Sequence, residues 1–324
     1  MIFMTNKEKY RELCKENPTI CIYDQYWWLD AVCGEENWDV ILYEKGDAIL
    51  GAMPYYVKKI GGIKYITQPE LTQHNGIWIK YSDNQIESKR ISFEKEVITN
   101  ILEQVENLNL VYYMQNYSPV LTNWLPLYWK GYQQTSYYTY RLEDISDVDT
   151  LYKGFQSNKR KNINKARRLG YTIKFDLSAK DFYELHRVCL EKQGTNMRYS
   201  FELFERLYNA SYENNSGKSI YIEDNEGNVI SALFNVWDNM WAYDLVSAID
   251  PDTRKEGIPD LLVYSMLEYF SGKVKGYDFE GSMMPGVEES FRHFGAHQTP
   301  YFSIRKIYTR NPILKFLIRK KLRG

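Results

Sequence analysis

The sequence predicts an α/β (α+β) protein built from two similar units in tandem, and three observations carry that prediction. The chain has 324 residues, more than the ~100–200 of a typical domain. Its hydrophobic content of 44% and charged content of 26% suit a globular chain rather than a disordered one. One order of elements, namely helix, strand, strand, strand, helix, strand, is legible twice.

In the first half, residues 26–33 can form a short helix and residues 38–43 a strand. Lys45-Gly46-Asp47 is a turn, residues 48–57 a second strand and residues 76–80 a third. Phe93, Val97, Ile101, Val105 and Leu108 mark one face of a helix, and residues 111–115 a strand. In the second half, residues 181–193 fit a helix, with Phe182, Leu185 and Cys189 on one face and Cys189 as buried filler. Strands follow at 219–223, 229–237 and 241–247, separated by Asn225-Glu226-Gly227-Asn228 and Asp238-Asn239. Ile258, Leu261, Leu262, Ser265 and Tyr269 give a second helical face, and residues 277–280 a last strand. The hairpin Gly46-Asp47-Ala48-Ile49-Leu50-Gly51-Ala52-Met53 resembles Gly227-Asn228-Val229-Ile230-Ser231-Ala232-Leu233 with one residue inserted. The expected units are 1–145 and 146–308, followed by a tail at 309–324.

The net charge of −1 is a cancellation. Residues 305–324 hold eight basic residues and no acidic one, whereas residues 1–304 hold 33 basic against 42 acidic. Six more cations cluster at 158–168: Lys159, Arg160, Lys161, Lys165, Arg167 and Arg168. A uniformly cationic nucleic-acid binder is excluded, but phosphate-bearing ligands are not. In the tail, Asn311-Pro312 reads as a helix start. Leu314, Ile318 and Leu322 would form one stripe there, with Lys315, Arg319 and Arg323 beside it. Such a helix could touch an anionic membrane weakly or dock on the acidic body.

The N-terminus has no apolar core of signal-peptide length and no stretch suits a membrane span, so the expected location is cytoplasmic, peripheral at the inner face of the membrane at most. Cys14, Cys21, Cys33 and Cys189 have no paired spacing, and His293 and His297 lack partner ligands, so no metal is expected.

The chemistry concentrates in the second unit. Arg254-Lys255-Glu256-Gly257-Ile258-Pro259 lies where a strand gives way to a helix. A helix N-terminus there would offer N–H groups to a phosphate, with Gly257 allowing close approach and Arg254 adding charge. The first unit has no glycine at the matching place, around 83–88. Asp278 and Glu280 alternate by two and would share one strand face, where mutual burial could make one of them a base. Asp244 and Tyr243 lie on the preceding strand, and Tyr243 could protonate a leaving thiol.

With R-x-x-G at that joint, this element order resembles the GNAT acyltransferase fold. Two such units resemble the Fem-type aminoacyltransferases of peptidoglycan bridges and their acetyltransferase-like relatives in envelope polysaccharide clusters. Three stretches carry the likeness. One is Asp24-Gln25-Tyr26-Trp27-Trp28-Leu29-Asp30 with Ile49-Leu50-Gly51-Ala52-Met53-Pro54 and Gln68-Pro69. Another is Asn158 through Gly170, and the third is Asp278-Phe279-Glu280-Gly281-Ser282 through Phe291-Arg292-His293-Phe294-Gly295-Ala296. Where the family often has lysine after the phenylalanine, this chain has Arg292, which keeps the charge but not a lysine-specific role.

The resemblance implies two GNAT-like units, each a mixed, mostly antiparallel sheet flanked by helices. It also implies N-acyl transfer to an amine of a cell-envelope sugar or peptidoglycan precursor, without a covalent enzyme intermediate. The donor is either acyl-CoA, with acetyl-CoA preferred because Arg254, Gly257 and Ile258 retain a phosphate cradle, or aminoacyl-tRNA. Asp278, Glu280, Arg292 and Tyr243 are the candidate catalytic residues. Lys159, Arg160, Lys161, Lys165, Gly281 and Ser282 are the candidates for binding a nucleotide- or lipid-linked acceptor. Two non-enzymatic readings stand beside this one. The first is a saccharide-binding module using Tyr112, Tyr113, Tyr137, Tyr138 and Tyr140 as stacking surfaces; the second is an RNA-binding protein using 158–168.

Overall fold

The computed structural model describes residues 4–321, and the chain divides into two units, Met1–Tyr137 with Pro300–Gly324, and Tyr138–Thr299. In the first unit, α1 (Asn6–Glu16) starts at Thr5, whose side chain forms a reciprocal capping box with Glu8. α2 (Tyr26–Cys33) buries Trp28 and Leu29. β1 (Trp38–Lys45) and β2 (Ala48–Ile60) form a hairpin, and a turn at Gly61-Gly62 leads to β3 (Ile63–Thr67). The two-residue β4 (Trp78–Ile79) pairs with β2. α3 (Glu87–Glu106) lays Val97, Ile98, Ile101, Leu102 and Val105 on the sheet, all fully buried. β5 (Tyr112–Tyr117) and the short α4 (Leu125–Trp129) follow.

β6 (Gln133–Leu142) runs into the second unit. There α5 (Val148–Gly154), α6 (Ser157–Arg167), β7 (Thr172–Phe175), α7 (Ala179–Lys192) and α8 (Phe201–Glu213) precede the meander β8 (Gly217–Glu223), β9 (Val229–Trp237) and β10 (Trp241–Ile249). α9 (Ile258–Phe270) is buried almost all round, as its apolar sequence requires. Each large side chain fully buried there contributes about 1.5–3 kcal/mol. β11 (Gly276–Asp278) and α10 (Pro285–Arg292) complete this unit. β12 (His297–Ile307) re-enters the first unit at Pro300, and α11 (Pro312–Lys321) ends it. Among the described residues no helix is long and apolar enough to cross a membrane.

The strands of the two units share a topology. In the first unit β1, β2 and β3 are antiparallel, β3 and β5 parallel, and β5 and β12 antiparallel. In the second, β8, β9 and β10 are antiparallel, β10 and β11 parallel, and β11 and β6 antiparallel, with β7 added outside β8. Both hairpins carry a bulge at the corresponding place, skipping Leu50 on β2 and Ile230 on β9. The matched hairpin sequences therefore share a backbone irregularity as well as residues.

The observed boundaries differ from the expected 145/146 and 308/309. The first unit ends eight residues earlier and regains the chain from Pro300, because the strand that pairs with β5 is supplied only after the second unit. Two strand assignments also change. The strand expected at 76–80 shrinks to Trp78–Ile79, and the real third strand is β3. The strand expected at 277–280 stops at Asp278, because Glu280 takes a left-handed φ of 58°.

Candidate active site

The parallel strands β10 and β11 part company in the second unit. They pair only at Trp241↔Gly276, Ala242↔Tyr277 and Tyr243↔Asp278. β10 then runs on to Ile249, while the chain after Asp278 bends towards β6, where the Phe279 N–H donates to the Tyr140 carbonyl at 2.9 Å. Glu280 and Gly281 are both left-handed, and a Cβ on Gly281 would collide with the Tyr138 carbonyl and with Thr139. Among the described residues, no strand pairs with the β11-side edge of β10 from Asp244 onwards. On its other side, against β9, β10 carries a bulge at Leu245.

Asp244 is the first β10 residue beyond the parting point. It is 8% exposed, and burial pushes its carboxyl up to about 7, against a smaller lowering by the Ser247 hydroxyl. The bulge puts Ser247 within 3.3 Å of the carboxylate. The cross-strand neighbour of Asp244 is Asn235, whose amide donates to the Tyr277 hydroxyl at 2.7 Å and whose carbonyl oxygen is buried without a hydrogen-bond partner. A polar knot therefore sits in an apolar sheet, where each such group costs stability unless satisfied.

The expected catalytic residues fall into two sets. Asp278 is fully buried, accepting from the Thr139 hydroxyl, from Arg141 Nε at 2.6 Å and from the Glu280 N–H at 2.8 Å. Arg141 in turn lies over the Trp241 ring at 4.4 Å. With its oxygens occupied, Asp278 locks the β11 turn and is not placed to take a proton. Tyr243 is buried as well, and its hydroxyl donates to Asp238 at 3.0 Å. The shared face expected for Asp278 and Glu280 is lost, because the left-handed Glu280 breaks the strand alternation. Burial still raises the Glu280 carboxyl well above its ordinary value. Arg292 is exposed at the end of α10 and pairs with Glu288 at 3.0 Å, beside Phe291, which stacks on Phe279. Gly281 makes the turn, and the Ser282 hydroxyl accepts from the Met284 N–H at 3.0 Å.

The basic segment is mostly structural. Lys159 is buried and donates to Asp260 at 2.6 Å and to Ser290 at 2.7 Å, over the Phe294 ring. Asn162 donates to the other Asp260 oxygen at 2.8 Å. α6, α9 and α10 are thereby cross-linked, and Lys159 is not available to an acceptor. Arg160 holds the Lys153 and Phe155 carbonyls, and Lys165 caps the Lys255 carbonyl at 2.7 Å. Lys161 is exposed. The apolar spacing of Ile163 and Ala166 with Lys159 marks this buried stripe in the sequence.

The α9 N-terminus departs from the expected cradle. A 3-10 turn over Pro251–Glu256 precedes it, and Arg254 donates to Gln193 at 2.9 Å. Gly257 is left-handed, φ 83°, and a Cβ there would collide with the Asn162 backbone. The glycine is thus demanded by the close approach of α6. Ile258 is fully buried. Asp260 already places a carboxylate in the first turn, where a helix N-terminus favours negative charge.

The corresponding parting in the first unit is filled by its own chain. β3 and β5 pair only at Tyr65↔Tyr112 and Ile66↔Tyr113. Beyond them Gln68 accepts from the Asn116 N–H and the Asn75 N–H donates to the Asn116 carbonyl, both at 2.8 Å. Gln115 donates to the Pro54 carbonyl and Asn75. Among the described residues, then, it is the second unit that keeps its parted edge unpaired.

Residues 153–295, under half of the chain, match the family model described as an acetyltransferase (GNAT) domain. This stretch is of the GNAT type. The matched GNAT segment contains the β10–β11 parting, Asp244, the 254–260 joint and Arg292. No curated protein matches the chain in sequence. Among solved structures, FemX is similar with a TM-score of 0.69 at 13% identity, over 93% of this chain and 96% of that one. L-PGS from Bacillus licheniformis has a TM-score of 0.57 at 12% identity, covering 99% and 98%. The C-terminal domain of a putative lysylphosphatidylglycerol synthetase from Agrobacterium fabrum has 0.53 at 11%, covering 85% and 86%. At these identities the likeness is one of fold alone.

Proposed function

We propose that this protein is an N-acyltransferase that moves an acyl group onto an amine of a cell-envelope sugar or peptidoglycan precursor. The observation that carries this reading is the unpaired β10 edge with Asp244 at its head. An acyl donor laid along that edge in strand-like fashion would meet backbone N–H groups able to steady an oxyanion. The attacking amine must lose a proton as the new C–N bond forms, and a carboxyl near 7 is matched to accept it at neutral pH. The leaving thiolate or alkoxide then takes a proton from solvent or from the same carboxyl. Arg292 and Lys161, both exposed, are the cations through which an anionic acceptor such as a diphosphate-linked sugar would be held.

Acyl-CoA is the first donor reading, supported by the GNAT domain match. Aminoacyl-tRNA is the second, and one observation favours it: Asp260 already occupies the first turn of α9, where a CoA diphosphate would otherwise be received. Calorimetry with acetyl-CoA, set beside filter binding of charged tRNA and turnover with an amino-sugar nucleotide, tests both. Binding of one donor with acyl transfer to an amine is the expected result. Binding of neither would overturn the acyltransferase reading, and binding of saccharide alone would favour a non-catalytic module.

A further inference from the structure

α11 presents two different sides. Asn311 caps it, accepting from the N–H groups of Ile313 at 2.9 Å and Leu314 at 3.2 Å. Leu314 and Ile318, two members of the stripe expected from the sequence, are half-buried, so this side meets the protein. Leu322 and Arg323, and the Arg319 side chain, lie outside the described residues. A second apolar face, not anticipated, looks outwards: Ile313 is 69% exposed, Phe316 66% and Leu317 53%. Their spacing of three and four places them on one arc of the helix, with exposed Lys320 one turn further along the same arc. Over residues 305–324 the sequence has eight cations and no anion.

A second exposed cluster lies in the same unit. Val120, Leu125, Tyr128 and Trp129 around α4 are all among the exposed large apolar side chains, and Lys95 sits 5.3 Å over the Trp129 ring. The end of α4 is tied to the foot of α11, since the Tyr132 and Tyr308 hydroxyls are 2.6 Å apart. Trp and Tyr with flanking Lys are the side chains that settle at a bilayer's headgroup level.

We infer that this corner of the first unit docks on an anionic lipid surface, with Ile313, Phe316 and Leu317 inserted at the headgroup boundary and the exposed Arg310 and Lys320 facing the lipid phosphates. A protein partner or a second copy would cover the apolar arc equally well, but a twenty-residue stretch without one acidic residue complements a negative surface. The inference does not depend on the acyl-transfer reading. It rests on exposure and charge alone, and its test uses no turnover.

The experiment is co-sedimentation of the full chain with vesicles of phosphatidylcholine alone and with one-third phosphatidylglycerol. Two cations near the surface predict roughly a thirtyfold preference for the anionic vesicles, falling as salt is raised. The triple variant I313S/F316S/L317S removes exposed side chains only, so its unfolding curve should match the wild type while vesicle binding is lost. Lys320→Glu should weaken binding without abolishing it. Equal sedimentation of triple variant and wild type, or equal binding to both vesicle types, would overturn the proposal. So would a concentration-dependent dimer that the triple variant abolishes while vesicle binding stays absent in both proteins.

Discussion

Replacing Asp244 by asparagine should raise stability at alkaline pH while removing activity. The carboxyl has an ordinary value of 3.8 and is pushed to about 7 by burial. Between those values the unfolded chain gives up the proton that the folded chain retains. Unfolding is therefore increasingly favoured as pH rises through this window, and above about pH 7 the loss is complete. Each tenfold difference in proton affinity between the folded and unfolded chains is worth about 1.4 kcal/mol, so the wild type loses on the order of 4 kcal/mol between about pH 4 and pH 8 through this one group. Asparagine cannot ionise and has nearly the same shape, so the variant lacks that loss. The difference between the two proteins in urea unfolding should be near zero at about pH 4 and should grow to on the order of 4 kcal/mol at about pH 8. The other raised carboxyls, Asp24 and Glu280, are present in both and cancel. Acyl transfer should fall by roughly 10²–10⁴, the usual contribution of a positioned base. Parallel stability curves across this pH range would show that Asp244 titrates normally and would remove it as the candidate base.

Two further outcomes follow from the same geometry. Lys159→Met strands Asp260 in the interior and should cost about 3–5 kcal/mol in denaturant unfolding. The double variant K159M/D260L should recover most of that loss, and equal destabilisation of single and double variants would deny the coupling. Gly281→Ala combines a left-handed φ of 63° with a Cβ driven into the Tyr138 carbonyl, whereas Gly46→Ala has a similar φ of 59° and open space. Alanine at Gly46 should cost about 1 kcal/mol. The variant at Gly281 should cost clearly more, read as the larger drop in Tm.

The repeated element order is readable because it rests on periodicity and turn residues, which act locally. β9 appears with the expected bounds, 229–237, and α9 begins at the expected Ile258 and ends within one residue of Tyr269. β3 escapes a periodicity reading although Gly61-Gly62 signals its turn, because residues 63–67 are short and sit beside a longer apolar strand. The site is less legible, since its residues owe their roles to partners distant in sequence. Asp278 reads as a base until Arg141, on another strand, fills its oxygens. Lys159 reads as a ligand cation until Asp260 meets it. Asp244, a lone acid between Tyr243 and Leu245 in an apolar strand, is conspicuous in the sequence, but only the parting of the strands gives it a role. Nothing in the sequence announces a left-handed φ at Glu280, and that one torsion ends β11 and opens the β10 edge.

The exchange of closing strands has a consequence for how this chain comes into being. The β5 edge of the first unit waits for β12, which is synthesised after the whole second unit. During translation the earlier half must therefore stand with an unsatisfied sheet edge, a template for mispairing. Meanwhile the later half has β6 in hand from its first residues and can close as soon as β11 emerges. The unit begun first is thus the unit finished last. Severing the chain between the two would leave the earlier unit without its closing strand, while the later one would keep its own.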